Sequence, residues 1–125
     1  MSTCTNTAIN TELVAVYGTL KQGHGNNRLL SSSEFMGAEQ IKGFKMFSAG
    51  GFPVVFHSED SKDEISVEVF MVEQSTLQGD LDRLEGHPRW YRRELIDVSI
   101  GKAWIYVMQD QAYARPERLI KTGVF

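Results

Sequence analysis

Residues 103–108 place the hardest constraint on the fold. Ala103, Ile105 and Val107 alternate with Trp104, Tyr106 and Met108, so both sides of this strand are substantially apolar. Such a strand needs cover on two faces, as in a small barrel carrying helices on its outside. The link Ile100-Gly101-Lys102 contains a glycine suited to a tight turn, and residues 91–99 read as the partner strand of a hairpin. On that partner Tyr91 and Arg93 are two apart and point the same way.

A second apolar run, Val14-Ala15-Val16, ends in Tyr17-Gly18-Thr19-Leu20-Lys21-Gln22-Gly23. It reads as a buried strand closing in a tight loop. Gly18 lets backbone amides come close to a ligand. Asn26-Asn27 then leads into Arg28-Leu29-Leu30 and a short helix over residues 27–32. Strand, loop and helix start form either an anion-binding corner or an ordinary turn. A nucleotide phosphate loop does not fit, because His24-Gly25 stands where Lys and Ser/Thr are required.

Between these regions, strands are expected over residues 35–42, 44–47, 54–56 and 65–72. Gly50-Gly51-Phe52-Pro53 forms a rigid turn, and residues 58–64 an exposed loop. Glu68 interrupts an apolar strand and reads as a solvent-facing or paired carboxylate. Residues 77–85 carry the clearest helical spacing, with Leu77, Leu81 and Leu84 on one face and Asp82 near Glu85 on a flank. Gly86 stops that helix. Glu85 thus sits at the helix end that carries partial negative charge, which disfavours its ionisation and raises its pKa, as acid–base chemistry requires.

The 125 residues fit a flexible segment over 1–12 and one domain over 13–125. A net charge of −3 argues against nucleic acid as the main partner. No apolar run approaches the ~18 residues of a membrane helix. The start of the chain lacks an apolar signal core, so a cytosolic location is expected. The one cysteine, Cys4, cannot form an internal disulfide, which fits a reducing compartment. His24, His57 and His87 lack metal-ligand spacing, and no serine elbow is present. The tail ends apolar, so Phe125 is expected to dock on the body.

Tyr17-Gly18-Thr19-Leu20-Lys21-x-Gly23 with Asn26, Gly51-Phe52-Pro53, Leu81-Asp82-Arg83-Leu84-Glu85-Gly86, Tyr91-x-Arg93 and Ile120-x-x-Gly123 follow one another in order. Together they resemble the γ-glutamylcyclotransferase-like family, and most closely its γ-glutamylamine cyclotransferase (AIG2-like) branch. The resemblance runs from Val14 to Phe125. It implies an α+β fold, a small mixed β-barrel with flanking helices and a cavity at one end. It also implies that Glu85 is the catalytic acid/base and that Tyr17, Gly18, Thr19 and Leu20 bind a γ-glutamyl group through backbone amides. Tyr91 and Arg93 are expected to complete substrate binding.

The implied reaction releases 5-oxoproline and an amine from a small γ-glutamyl substrate, with no metal or cofactor. One departure stands out. The family commonly has Gly-Glu-Val where this chain has Val67-Glu68-Val69, which is expected to narrow the cavity or move its wall. Val67 also favours an alternative, a non-catalytic member that keeps the pocket for binding or regulation. A third reading is an acyl-releasing enzyme acting on a non-glutamyl substrate.

Overall fold

A computed structural model describes residues 10–125; the expectations for Cys4 and for residues 1–9 of the opening segment lie outside them. Seven strands and a short helical stretch make up the body: β1 Thr11–Val16, β2 Glu34–Lys42, β3 Phe44–Ser48, β4 Pro53–His57, β5 Glu64–Glu73, β6 Tyr91–Val98 and β7 Gly101–Met108. Thr11 and Glu12, expected within a flexible segment, are instead part of β1. Thr11 and Glu12 pair with Glu73 and Val72 in the ladder, and the Trp104 indole donates to Glu12 Oε1 at 2.8 Å.

The main sheet runs β2-β5-β1-β7-β6, and β3 pairs with β4 in a separate ribbon. β1 lies parallel to β7 and antiparallel to β5, so the sheet is mixed, as expected. It does not close into a barrel. The ribbon pairs only with itself, leaving β2 and β6 as free edges. A side chain spans the gap instead: Glu39 of β2 accepts the Ser99 amide and hydroxyl, the latter at 2.8 Å.

The strands are nevertheless buried on both sides, as the two-faced pattern of residues 103–108 demands. Val14, Val16, Phe70, Val72, Tyr106 and Met108 enter one core. Ala15, Val67, Val69, Ala103, Ile105 and Val107 enter the other. Each fully buried Val, Ile or Met side chain contributes roughly 1.5–3 kcal/mol. The tail covers the sheet's lower edge: Ile120 donates to Met46 O at 2.8 Å, Ser66 donates to Gly123 O at 2.9 Å, and Phe125 packs on the second core.

The expected helix over 77–85 begins sooner and is not uniform. It opens as α1 Gln74–Thr76, widens into a π turn over Leu77–Leu81 and ends as α2 Asp82–Glu85. Leu77 and Leu81 reach the core, but Leu84 is 37% exposed. The wide turn rotates the residues after it off ideal helical spacing, so Leu84 leaves the core face.

Candidate active site

A cavity of about 300 Å³ opens where the end of β1, the turn before β4, the end of α2 and the start of β6 meet. Tyr17, Gly18, Thr19 and Leu20 form one wall. The approach of that loop to the facing turn depends on glycine, since a Cβ on Gly18 would stand 2.8 Å from Pro53 Cγ.

The loop is clamped from several sides. The Asn26 side-chain amide donates to Thr19 Oγ1 at 2.8 Å, and that of Asn27 donates to Leu20 O at 2.9 Å. The asparagine pair read as a helix start thus reaches back into the loop, and Asn26 makes no side-chain cap. Glu68 is a paired carboxylate: its Oε1 accepts the Gln22 amide at 2.7 Å. Lys21, buried, donates to Phe125 O at 2.8 Å. Among the described residues, the amides of Gly18, Thr19 and Leu20 find no acceptor within the chain. Such a row of donors suits a carboxylate or a developing oxyanion.

Glu85, the last residue of α2, lines the same cavity. Gly86 ends the helix in the left-handed region, with φ 67°. Burial raises the Glu85 carboxyl from its ordinary value to about 7. The direction agrees with the sequence expectation, but the cause is desolvation rather than the charge of the helix end. Around it, Tyr17, Tyr91 and Tyr106 all titrate above an ordinary phenol, first through burial and further through the nearby Glu85 charge.

None of these phenols donates to Glu85. Tyr17 Oη donates to Tyr106 O at 2.6 Å, Tyr91 Oη to Pro53 O at 2.8 Å, and Tyr106 Oη to Asp82 Oδ1 at 2.7 Å. The carboxylate has no ion-pair partner among the described residues either. A proton is its natural company near neutral pH.

Arg93 does not line the cavity, contrary to its expected place on the substrate. Its guanidinium grips Asp82 through two bonds, Nε to Oδ1 at 2.8 Å and Nη2 to Oδ2 at 3.1 Å. It also lies over the Trp104 ring, 4.5 Å from the centroid. Tyr91 shares the β6 face with Arg93, as alternation requires, and does line the cavity. Strand alternation gave the direction of Arg93 but not its partner.

Val67 corrects another expectation. It is buried in the second core and is not itself part of the cavity wall, although Ala15 and Tyr17 of that same core do line the cavity. Among the wall residues that the sequence reading of the site missed are Tyr106, Phe52, Leu84 and Trp90. Tyr106 had a usable signal, because the β6–β7 register sets it opposite Arg93. Phe52 had one in its Gly51-Phe52-Pro53 motif, whereas Trp90 lies just outside the strand pattern and offered none. Among the described residues no cluster of His, Cys, Asp and Glu could hold a metal, and no helix is long and apolar enough to cross a membrane.

The class that fold and site define is that of small α+β proteins with a cavity at the end of a mixed sheet. Comparison with known proteins narrows it. The family described as "Gamma-glutamyl cyclotransferase, AIG2-like" matches residues 14–125, and the chain belongs to that family. A Vibrio cholerae protein provisionally named a gamma-glutamylcyclotransferase is 36% identical over 99 residues, covering 78% of this chain and 83% of that one. Gamma-glutamylaminecyclotransferase B of Danio rerio is 36% identical over 98 residues, 72% of this chain and 51% of the fish protein. The crystal structure of an uncharacterized Pyrococcus horikoshii protein superposes with a TM-score of 0.76 at 25% identity, covering 91% of this chain and 89% of that one.

Proposed function

We propose that the protein is a γ-glutamyl cyclotransferase that converts a γ-glutamyl compound to 5-oxoproline and a free amine or amino acid. One observation carries this reading: an unpartnered carboxyl that titrates near neutrality shares a cavity with a row of unused backbone amides.

The substrate's α-amine attacks its own γ-carbonyl carbon, so a new C–N bond closes the five-membered ring while the original amide C–N bond breaks. Glu85 takes a proton from the substrate ammonium and passes it to the departing nitrogen, and the second proton lost by the attacking nitrogen as the ring closes leaves with the released amine as its ammonium ion. Atoms balance without water, metal or an enzymic nucleophile. Amides of Gly18 to Leu20 hold the substrate carboxylate or the oxyanion, where one lost donor costs about 3–4 kcal/mol. Holding the glutamyl chain folded for attack contributes on the order of 7–11 kcal/mol at best. Tyr91 walls the bound glutamyl group. Arg93 acts at one remove, fixing Asp82 and through it Tyr106.

The test is 5-oxoproline release by the pure protein from γ-glutamyl-ε-lysine, γ-glutamyl-alanine and related compounds. Product from at least one is expected, and its absence across the series sinks the proposal.

A further inference from the structure

The cavity has two chemically different ends, and the reaction uses only one. Glu85 and the free amides of the 17–20 loop serve the glutamyl end. Besides Asn26, Tyr91 and Tyr106, the rest of the wall includes three large apolar side chains, Phe52, Leu84 and Trp90. Leu84 and Trp90 are 37% and 53% exposed while still lining the cavity, so they form its mouth.

We propose that this mouth is a leaving-group subsite that takes an aromatic or bulky apolar substituent on the departing amine. The inference rests on the cyclotransferase reading, because that chemistry fixes which end of the substrate faces outward. Trp90 is exposed without being loose. Its amide donates to Gly86 O at 2.9 Å, and its carbonyl accepts both the Gln109 amide at 3.4 Å and Gln109 Nε2 at 3.3 Å. The Gly86 backbone lies close beneath it: a Cβ there would stand 3.2 Å from Trp90 Cβ. The Phe52 and Trp90 rings lie 6.5 Å apart, inclined by only 26°. A large indole held on a fixed backbone at a cavity mouth is a surface built for contact.

Charge decides between kinds of leaving group. Among the described residues Glu85 supplies the only carboxylate in the lining, and no Lys, Arg or His lines the cavity. A carboxylate on the leaving side, as in a γ-glutamyl amino acid, therefore meets apolar rings and no cation. A neutral aromatic substituent meets surfaces that match it.

The experiment compares kcat/KM for γ-glutamyl-benzylamide, γ-glutamyl-methylamide, γ-glutamyl-glycine and γ-glutamyl-1,4-diaminobutane in wild type, Trp90→Ala and Trp90→Phe. Wild type should prefer benzylamide to methylamide by about tenfold or more, with glycine poorest. Trp90→Ala should bring the benzylamide-to-methylamide ratio close to one, and Trp90→Phe should restore most of it. An unchanged ratio in Trp90→Ala overturns the subsite. So does a Trp90-dependent preference for the diaminobutane compound, which would make the mouth a cation site.

If wild type releases 5-oxoproline from none of them, the cyclotransferase reading falls separately. The subsite is then judged by calorimetric affinity for the same benzylamide and methylamide compounds. A preference that Trp90→Ala removes upholds it, and equal affinities overturn it.

Discussion

Asp82 and Glu85 lie three residues apart in α2, yet their carboxyls titrate in opposite directions. Burial pushes both upward. For Asp82 that push is outweighed by the hydrogen bonds from Arg93 and Tyr106, which hold it below the ordinary carboxylate range. Glu85 has only the burial, and rises to about 7. Sequence position does not separate the two residues. What separates them is the supply of donors: three bonds reach Asp82, and the phenols around Glu85 all point their protons elsewhere. One turn of helix therefore presents a fixed anion and a proton carrier, and their different surroundings imply different tasks.

The sharpest way to break this comparison is Glu85→Gln. Loss of the proton carrier should lower kcat/KM for 5-oxoproline release by about 10²–10⁴-fold. In wild type kcat/KM should rise with pH through about 7, as Glu85 loses its proton and becomes the base, and the variant should lack that limb. Stability offers an independent reading. An unfolded Glu titrates near ~4.3, so between there and about 7 the folded chain holds a proton that the unfolded chain has lost. Wild-type stability should therefore fall as pH rises through that window, by about 4 kcal/mol at most. Urea unfolding of the Gln variant should show no such fall from this site. Full activity in Glu85→Gln would end the assignment.

Asp82→Asn tests the other member. It turns an acceptor into a donor facing Arg93 or Tyr106, and leaves a guanidinium whose side chain is only 14% exposed without its anion. A loss of about 2–4 kcal/mol in urea unfolding is expected. Turnover should drop by about ten- to a hundredfold through misplacement of Tyr106, while a Glu85 limb remains in the pH profile, its midpoint moving with Tyr106. Disappearance of that limb would mean that Asp82 itself carries the proton. Gly18→Ala acts on the opposite wall. Its Cβ meets the Pro53 ring, so loop and turn must part slightly and the amides lose their aim. A fall of about tenfold in kcat/KM is expected, with little change in the urea midpoint.

Much of this was legible in the residues. The two-faced apolar pattern of residues 103–108 gave a strand covered on both sides, and Gly86 gave the end of the helix that presents Glu85. Closure of the sheet was not legible. Whether β2 meets β6 depends on how the separate β3–β4 ribbon pairs, a long-range choice that local alternation does not encode. Leu84 was misplaced for a different reason: the apolar spacing of Leu77, Leu81 and Leu84 is the same with or without a π turn, and only the wider turn sends Leu84 to the cavity mouth. The pKa of Glu85 was read in the right direction from the wrong cause, because its burial depends on a cavity whose walls, such as Tyr17 and Tyr106, come from parts of the chain that a local pattern does not connect.

Val67 gives the smallest expected effect on turnover and tests whether the two faces of the sheet are separable. It is 1% exposed, pairs with Glu39 of β2 and packs among Ile65, Val69 and Ile105. Its neighbour Glu68 holds the glycine loop from the same strand, so sequence proximity alone would tie Val67 to the site. Strand alternation cuts that tie, since adjacent residues face opposite sides. Val67→Ala should cost about 1–3 kcal/mol in urea unfolding and leave kcat/KM within about twofold across the γ-glutamyl series. A changed substrate range in a stably folded Val67→Ala protein would show that Val67 acts on the cavity through Ala15 or Tyr17, the members of its core that line the wall. Glu68→Gln supplies the contrast on the same strand: weakening the bond to the Gln22 amide should affect turnover more than stability.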